Sequence, residues 1–540
     1  MKRGLGTISV FVSVLISFII CMSGEAFATS LTPLATLKVS NNTPARGSQV
    51  TVDFVMPPTA SQSGTVYLFM GDRPNKDNDL QNPVLIDSGN MVNGKITFGP
   101  YDVSDNVDDI GKFYYGQAYS GTTLSSIQPV VILPDTTRDR DIFADDTGYT
   151  ILSTNTRKNT SSPITDAYKA VTKNATRQQF IVVQDSQAMP SFNLDYKGGC
   201  HGSKPVWIIA EHVVNPAEGV TPNVVLKKGE ITVQTNNCNT RIVGIKSIGD
   251  KYNRSAVIYT TAGGTDGVHF YNFEIDGRYD HVAQAGDSLK WGFQTYELKN
   301  AVFMNNYIHD IREEHSFYIH NPLGVAGLSH LGQGLSFEIT NSVIEEVGRT
   351  IVQVTSRSGD AHGTIGSGFA VIRNLVATDC CLGDYWGGGS AFTFAGRAKD
   401  LDVVMDNVVY RAGFNAGMPK SGTGVFVAHA QKDSGADGYG NGNIRIENSD
   451  FEIANGHGDR AMFTIEWGYL EDSVMSFKLK NTRIDPGSKD TFSISMRDLK
   501  GRIKPNARLT DENIGCAEKP CYLGKNKHLT WKSYYDAIKK

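Results

Sequence analysis

The chain has 540 residues, of which 40% are hydrophobic and 20% charged, and its formal net charge is −4 at pH 7. This small negative charge argues against nucleic acid as a partner, because nucleic-acid binding favours a strongly basic face. The same net charge is compatible with an acidic polysaccharide as the partner, held in a locally basic groove. No stretch reaches the roughly 18 apolar residues of a membrane-spanning helix, so no membrane span is predicted.

The N-terminus has the features of a secretory signal peptide. Lys2 and Arg3 provide positive charge, residues 8–20 form a short apolar core, and Ala26-Phe27-Ala28 is a small-x-small cleavage site. The sequence therefore predicts a signal peptide over residues 1–28. It also predicts a bacterial protein that is secreted or periplasmic.

Residues 31–134 alternate apolar and polar residues in short segments separated by turn signals such as Asn93-Gly94. This pattern predicts an immunoglobulin-like β-sandwich without a disulfide. Residues 135–163 are rich in Asp, Thr, Asn and Ser, and are predicted to be a linker. A short amphipathic helix near Thr165 to Val171 is expected to close the end of the following unit.

A short pattern with a central Asn repeats seven times in the second half of the chain. The spacing between these residues ranges from 374 − 341 = 33 to 448 − 407 = 41. Alternating residues around each Asn indicate a strand, and a repeat of this size indicates stacked coils, with one Asn per coil bonded to the next. The central residues are Asn272, Asn306, Asn341, Asn374, Asn407, Asn448 and Asn481.

A second strand follows each Asn-centred strand, as in Ser316-Phe317-Tyr318-Ile319-His320. With these repeats, the chain from about Phe180 to Arg502 resembles the right-handed parallel β-helix proteins of the pectate-lyase-like superfamily. The predicted fold is therefore all-β, with the sandwich followed by a parallel β-helix over residues 164–502. Residues 503–540 are predicted to be a C-terminal cap. This fold supports many chemistries, so the resemblance leaves the reaction open.

Alternation within the second strands predicts which side chains point outward. The side chains expected to point inward are Phe317, Val352, Phe392, Val425, Phe463 and Phe492. Tyr318, His320 and Gln353 then point outward, and Arg357 and Arg397 occupy the same register on consecutive coils. Because coils stack at about 4.8 Å, these residues are expected to share one exposed patch.

The residue types in this patch suit β-elimination on a uronate-containing polysaccharide. His320 is predicted to be the base and Tyr318 the acid, while Arg357 or Arg397 neutralises the sugar carboxylate. His315, in the adjoining corner, is a further candidate. The predicted activity is a polysaccharide lyase acting on a pectin, an alginate or a bacterial exopolysaccharide. A glycoside hydrolase, a uronate epimerase and a non-catalytic glycan-binding or adhesin β-helix remain as alternatives.

Four further residues are candidates for substrate binding. Tyr385 and Trp386 are expected to stack on sugar rings, and Gln353 and Glu466 to point outward from their strands. No cofactor is predicted, although calcium is possible at clusters of acidic residues. The sequence does not predict an oligomeric state.

The cysteines favour disulfides, since an even number of them remains in an exported chain after the signal peptide is removed. Cys516 and Cys521 bracket a tight loop and are predicted to pair, and Cys200 is predicted to pair with Cys238. The adjacent Cys380 and Cys381 are expected either to form a vicinal bridge or to remain as buried thiols.

Overall fold

The protein is described by a computed structural model, whose interpretable residues cover most of the chain up to residue 485. The predicted signal peptide lies outside them, as does most of the predicted C-terminal cap. The described residues are 34–145, 150–152, 155–156, 162–171, 177–194, 204–227, 229–234, 239–250, 255–260, 267–280, 286, 289–296, 298, 300–312, 314–320, 335–355, 368–381, 390–395, 400–412, 424–429, 441–453, 463–467, 475–485, 493–498, 508–516, 522–523 and 529–530.

The first part of the described chain is a separate antiparallel region. One of its sheets has the order β1-β2-β5, and the other has the order β4-β3-β6-β7 with β8 paired to β6. Alternate side chains such as Leu37, Phe54 and Leu68 are buried in a common core, as expected for strands that face the core on one side. The elements are β1 (Thr36–Val39), β2 (Gln49–Val55), β3 (Gly64–Asp72), β4 (Gln81–Met91), β5 (Lys95–Asp102), the 3-10 helix Val107–Asp109, β6 (Phe113–Ser120), β7 (Thr123–Leu124) and β8 (Gln128–Val131).

A connecting segment follows, with β9 (Ile142–Ala144), β10 (Thr150–Leu152), β11 (Asn155–Thr156) and the helix α1 (Pro163–Val171). Strand β9 already pairs in parallel with the first strand of the next region. On α1, Ile164, Ala167 and Tyr168 are buried and join the core of that region. The helix therefore packs its apolar side against the beginning of the stacked strands.

The remaining strands form the parallel region. Its first half contains β12 (Gln179–Val183), β13 (Ser186–Met189), β14 (Phe192–Asn193), β15 (Val206–Ala210), the 3-10 helix Pro216–Glu218, β16 (Val224–Leu226), β17 (Ile231–Gln234), β18 (Thr240–Val243), β19 (Ile245–Ile248), β20 (Ser255–Thr260), β21 (His269–Tyr271), β22 (Glu274–Asp276), β23 (Trp291–Tyr296), β24 (Ala301–Met304), β25 (Tyr307–Ile311) and β26 (His315–His320). Its second half contains β27 (Leu335–Val347), β28 (Thr350–Thr355), β29 (Gly368–Thr378), β30 (Ser390–Ala395), β31 (Asp400–Ala412), β32 (Gly424–His429), β33 (Asn441–Glu447), β34 (Asp450–Ile453), β35 (Phe463–Trp467), β36 (Met475–Asp485), β37 (Ser493–Asp498), β38 (Arg508–Cys516), β39 (Tyr522–Leu523) and β40 (Leu529–Thr530).

These strands recur in the same order in each coil and pair in parallel with their equivalents in the next coil. Sheet 1 runs from β12 through β15, β18, β21 and β24 to the first half of β27, and sheet 2 from β13 through β16, β19, β22 and β25 to its second half. Sheet 3 has the order β14-β17-β20-β23-β26-β28-β30-β32-β35-β37-β39, with β40 added antiparallel at its end. A continuous apolar core lies between the sheets. The arrangement is consistent with a parallel β-helix.

The repeated Asn residues lie at the turn between sheets 1 and 2. At Asn272, Asn341 and Asn374 the backbone is left-handed, with φ of 54°, 49° and 50°, a conformation that Asn tolerates better than most residues. The prediction of Asn306 at this position was wrong. Met304 pairs with Tyr271, so Asn305 (φ 56°) is the equivalent of Asn272.

Asn306 instead lies one position further along and is completely buried. Its side-chain oxygen accepts a hydrogen bond from the backbone N–H of Phe273, at 3.0 Å. The predicted amide ladder is present at three further steps. Asn374 donates to Asn341 at 2.9 Å, Asn407 to Asn374 at 2.8 Å and Asn481 to Asn448 at 2.9 Å.

The inward register of sheet 3 agrees with the prediction in its central coils. Phe317 pairs with Val352, and Val352 with Phe392. In the next coil Phe392 pairs with Phe426 rather than Val425, and Phe426, predicted to point outward, is buried. Phe463 then pairs with Ile494 rather than Phe492. In an apolar strand such as Gly424–His429, residues of both alternating sets are apolar. The sequence pattern therefore could not decide whether Val425 or Phe426 is in register with Phe392.

The antiparallel region packs against the outer face of sheet 1 through buried polar groups. Tyr115 donates to Glu338 at 2.8 Å, and Arg73 pairs with the same carboxylate at 3.2 Å. Arg373 donates to the side-chain oxygen of Asn78 at 2.9 Å. Glu338 and Arg373 are each 1% exposed. The two regions are therefore joined by a desolvated contact. Removing one partner of such a contact lowers the stability of the fold strongly, because a buried charge is left unpaired.

Candidate functional site

Three of the predicted site residues, His315, Tyr318 and His320, lie on β26 of sheet 3. Four rings form what we call the aromatic–imidazole cluster, made of Trp291, His315, Tyr318 and His320. The Tyr318 ring lies 4.1 Å from His320, 4.9 Å from His315 and 6.3 Å from Trp291, measured between centroids. The ring planes of Trp291 and Tyr318 are nearly parallel, with an angle of 11° between them. Such offset ring contacts are favourable and limit the rotamers available to each ring.

The cluster is less exposed than predicted. Tyr318 is half-buried, as expected for an outward residue that a substrate can reach. His320, also predicted to be exposed, is only 5% exposed, and His315 is 1% exposed. The alternation does place Phe317 and Ile319 in the core and Tyr318 on the other face. Each imidazole ring packs against the Tyr318 ring on that face.

Several polar atoms in this cluster and at the adjacent Ser316 lie buried without hydrogen bonds. Among the described residues, nothing pairs with the indole N–H of Trp291, the hydroxyl of Ser316 or Nδ1 of His315. Buried polar atoms are normally satisfied, so three such atoms on adjoining strands indicate a place where a polar ligand or water is expected.

The environment of His315 defines its protonation state. Burial first, and then the positive charge of Arg349, lower the pKa of His315 well below its usual range, so the ring is neutral at pH 7. Its Nε2 lies 3.2 Å from the Glu314 carboxylate, which Arg349 also contacts at 3.2 Å. A neutral ring that donates through Nε2 to a carboxylate carries its lone pair on Nδ1. That atom can accept a proton.

The structure brings Gln353 next to the cluster, because its backbone pairs in register with Tyr318. Glu466 lies two coils beyond β30 of the same sheet, in β35, where its backbone pairs with Arg497. The predicted residues Arg357, Arg397, Tyr385 and Trp386 lie outside the described residues, so their proximity to the cluster stays a prediction.

The predicted disulfides are not tested by the described residues. Cys200, Cys238 and Cys521 lie outside them, and only the backbone of Cys516, at the end of β38, is described. Cys380 and Cys381 are both free and buried, which decides between the two alternatives left open for this pair. Burial raises the pKa of both thiols, to about 12 for Cys381, so neither is a ready nucleophile.

A second polar group lies on the outer face of sheet 2 and was not predicted as a site. Lys246 contacts Glu274 at 2.6 Å and Asp276 at 3.1 Å, and His309 contacts Glu274 at 3.3 Å and Asp310 at 2.7 Å. Lys246, Glu274, Asp276 and His309 alternate outward on β19, β22 and β25, whereas Asp310 directly follows His309, at a left-handed φ of 56°. The period-two argument that was applied to sheet 3 gives the outward face of each of these strands, but it does not show that residues of three coils meet there.

We call Lys246, Glu274, Asp276, His309 and Asp310 the charged cluster, and the protonation state of His309 decides whether it can bind a metal ion. Burial lowers the pKa of His309, but its bonds to Asp310 and Glu274 outweigh burial and raise the pKa to about 9. The ring is therefore a cation at neutral pH. Side-chain atoms of Asp276, His309 and Asp310 lie within 4.8 Å of one another, close enough for shared metal ligation. Because both ring nitrogens of His309 already contact carboxylates, the cluster is an internally paired ion network in this structure.

Within the part of the chain that the structure describes, no helix is long and apolar enough to cross a membrane. Comparisons with protein-family models, with curated proteins and with solved structures found no match to this chain.

Proposed function

We propose that this protein is an exported carbohydrate-active enzyme, a polysaccharide lyase that cleaves a uronate-containing polysaccharide by β-elimination. In this proposal the parallel region is a right-handed β-helix of the pectate-lyase-like type, and the antiparallel region is an immunoglobulin-like sandwich. The signal-like N-terminus supports export. The observation that carries the function is the position of Tyr318, with an imidazole ring on either side at 4.9 and 4.1 Å.

The mechanism assigns one role to each group of the aromatic–imidazole cluster. A neutral imidazole removes the proton from the sugar carbon beside the carboxylate, and His315 suits this role because Glu314 holds its Nε2. His320 was the first choice from the sequence and remains the alternative base. The electron pair left on carbon forms the double bond as the glycosidic oxygen departs. The Tyr318 hydroxyl donates a proton to that oxygen.

The carboxylate of the sugar must be neutralised for its neighbouring proton to become acidic. Arg357 and Arg397 have this role in the proposal, on the basis of their predicted register with Gln353 and Thr393. Their guanidinium groups suit bidentate binding of a carboxylate.

A panel of uronate polysaccharides incubated with the protein tests the reaction class. Appearance of ultraviolet-absorbing unsaturated chain ends supports the lyase. New reducing ends without that absorbance indicate a hydrolase, and an inverted sugar centre in an uncut chain indicates an epimerase; either result contradicts the proposal.

A non-catalytic glycan-binding function is the second candidate, and the burial of the two imidazoles favours it. At 1% and 5% exposure, His315 and His320 reach a substrate only after the rings rearrange. Binding of a polysaccharide in the same panel without any chemical change would favour this candidate over the enzyme.

A further inference from the structure

A cleft separates the antiparallel region from the stacked Asn turns of the parallel region. Its volume is about 300 Å³, and its lining includes Leu34, Leu37 and Gln128 on one wall and Asn407 and Asn448 on the other. It lies at the turn between sheets 1 and 2, whereas the aromatic–imidazole cluster lies on sheet 3. The cleft is therefore separate from the site of the proposed lyase.

The amide ladder is interrupted inside this cleft. Asn448 donates to Asp406 at 2.8 Å, instead of to Asn407 as the repeat would require. The interruption coincides with the longest coil step, 448 − 407 = 41 residues. As a result, no described residue donates to the side-chain oxygen of Asn407. Each of Asn407 and Asn448 uses its amide nitrogen for one hydrogen bond, which leaves a second hydrogen on each.

The same ladder shows what that second hydrogen binds elsewhere. Asn374 donates to Asn341 and also to the backbone carbonyl of Ile127, at 2.8 Å. Asn272 donates to the carbonyl of Val214, again at 2.8 Å. The outward side of the ladder is thus a row of donors for oxygen acceptors. In the cleft, no described group of the chain occupies the equivalent positions at Asn407 and Asn448.

The charge of the lining indicates the kind of ligand. Asp450 is its acidic residue, and its carboxylate is bonded to Arg411 at 2.6 Å and Arg483 at 2.7 Å. This pairing leaves the cleft with free amide groups but no free charge. Leu34 and Val409 add apolar surface. A sugar ring, with an apolar face and a rim of hydroxyl groups that both donate and accept, matches this combination.

We propose that this cleft binds a segment of an uncharged glycan. The sugar hydroxyls accept from the second amide hydrogens of Asn407 and Asn448 and donate to the side-chain oxygen of Asn407. An apolar ring face lies against Leu34 and Val409. The binding does not depend on the proposed lyase activity, and it gives the antiparallel region a role as one wall of a glycan site.

Binding to an array of neutral gluco-, galacto-, manno- and xylo-oligosaccharides tests the proposal, with affinities of the hits measured by calorimetry. The informative variant is Asn407→Gly/Asn448→Gly, because glycine accepts the φ of 55° and 52° at these positions while removing the amides. Asn341→Gly is the matched control. It also lies on the ladder at φ 49°, and it does not line the cleft.

We expect at least one neutral oligosaccharide to bind the unaltered protein, with an affinity at least tenfold weaker in the double variant and unchanged in the control. No binding across the array, or equal binding by the double variant, would overturn the proposal. If the double variant does not fold, Gln128→Cys provides the test. Bound oligosaccharide should slow maleimide labelling of the introduced thiol, and labelling at an unchanged rate would count against the site.

Discussion

The Tyr115 hydroxyl donates a hydrogen bond of 2.8 Å to the Glu338 carboxylate, although the two residues are 223 positions apart and belong to different regions of the protein. Both side chains are completely buried. Burial raises the pKa of Tyr115, so its hydroxyl stays protonated and available as a donor. The contact is therefore part of what holds the antiparallel region against sheet 1.

Replacing Tyr115 by Phe should weaken this docking. The change leaves the buried Glu338 carboxylate with one donor fewer, at a cost of about 1–3 kcal/mol in the free energy of unfolding. Tyr114→Phe is the control, since Tyr114 is half-buried and its hydroxyl makes no hydrogen bond to a described residue. Urea unfolding curves measure the difference. Equal stability of the two variants would show that the Tyr115 contact contributes nothing.

The Asn ladder should be sensitive to backbone conformation as well as to hydrogen bonding. Asn374→Gly removes three side-chain hydrogen bonds, two donated by Asn374 and one accepted from Asn407, each worth about 0.5–1.5 kcal/mol. Asn374→Ala removes the same bonds and also forces a Cβ into a left-handed conformation at φ 50°, which costs about 1–2 kcal/mol more. Denaturant unfolding should rank the alanine variant below the glycine variant. The reverse order would contradict the left-handed assignment.

The ion network around His309 predicts a pH-dependent contribution to stability. The folded-state pKa of about 9 exceeds the value of about 6.5 expected in the unfolded chain. The contribution is therefore complete below about pH 6.5, declines as the pH rises and is lost above about pH 9. Thermal midpoints of the unaltered protein and His309→Gln should differ most near the low end of this window and converge at its high end. A difference that grows with pH would rule out a protonated His309.

Cys380 and Cys381 should resist alkylation in the folded protein. Both thiols are buried, and burial raises their pKa, so the reactive thiolate is scarce. Mass spectrometry after iodoacetamide treatment should find both cysteines unmodified in native protein and modified in denaturant. If they remain unmodified in denaturant until a reductant is added, the two cysteines form a disulfide and their assignment as free thiols is wrong.

Much of the fold was predictable because one residue type repeats at one structural position. Asn272, Asn341 and Asn374 mark the left-handed turn in three of the coils, and the spacing of such residues predicts stacked parallel strands. Asn306 was misassigned because Asn305 precedes it, and only strand register shows which of the two lies at the turn. Register depends on long-range pairing, which a local pattern does not contain.

Part of the aromatic–imidazole cluster was predictable from the alternation of residues within the strands. Alternation placed Tyr318 on the outer face of sheet 3 and Gln353 beside it. It could not show that His320 is buried, because alternation gives the face on which a side chain lies and not what covers it. Lys246, Glu274 and His309 of the charged cluster also come from three successive coils and have no local motif.

The central claim is that Tyr318 is an acid in β-elimination, and the rate of unsaturated product formation tests it most directly. On the polysaccharide that gives product with the unaltered protein, Tyr318→Phe should lower the rate by at least about 100-fold with an unchanged thermal midpoint. Tyr67→Phe, at a half-buried tyrosine of the antiparallel region, should retain full activity. Absence of unsaturated product from every uronate polysaccharide, or full activity of Tyr318→Phe, would contradict the account.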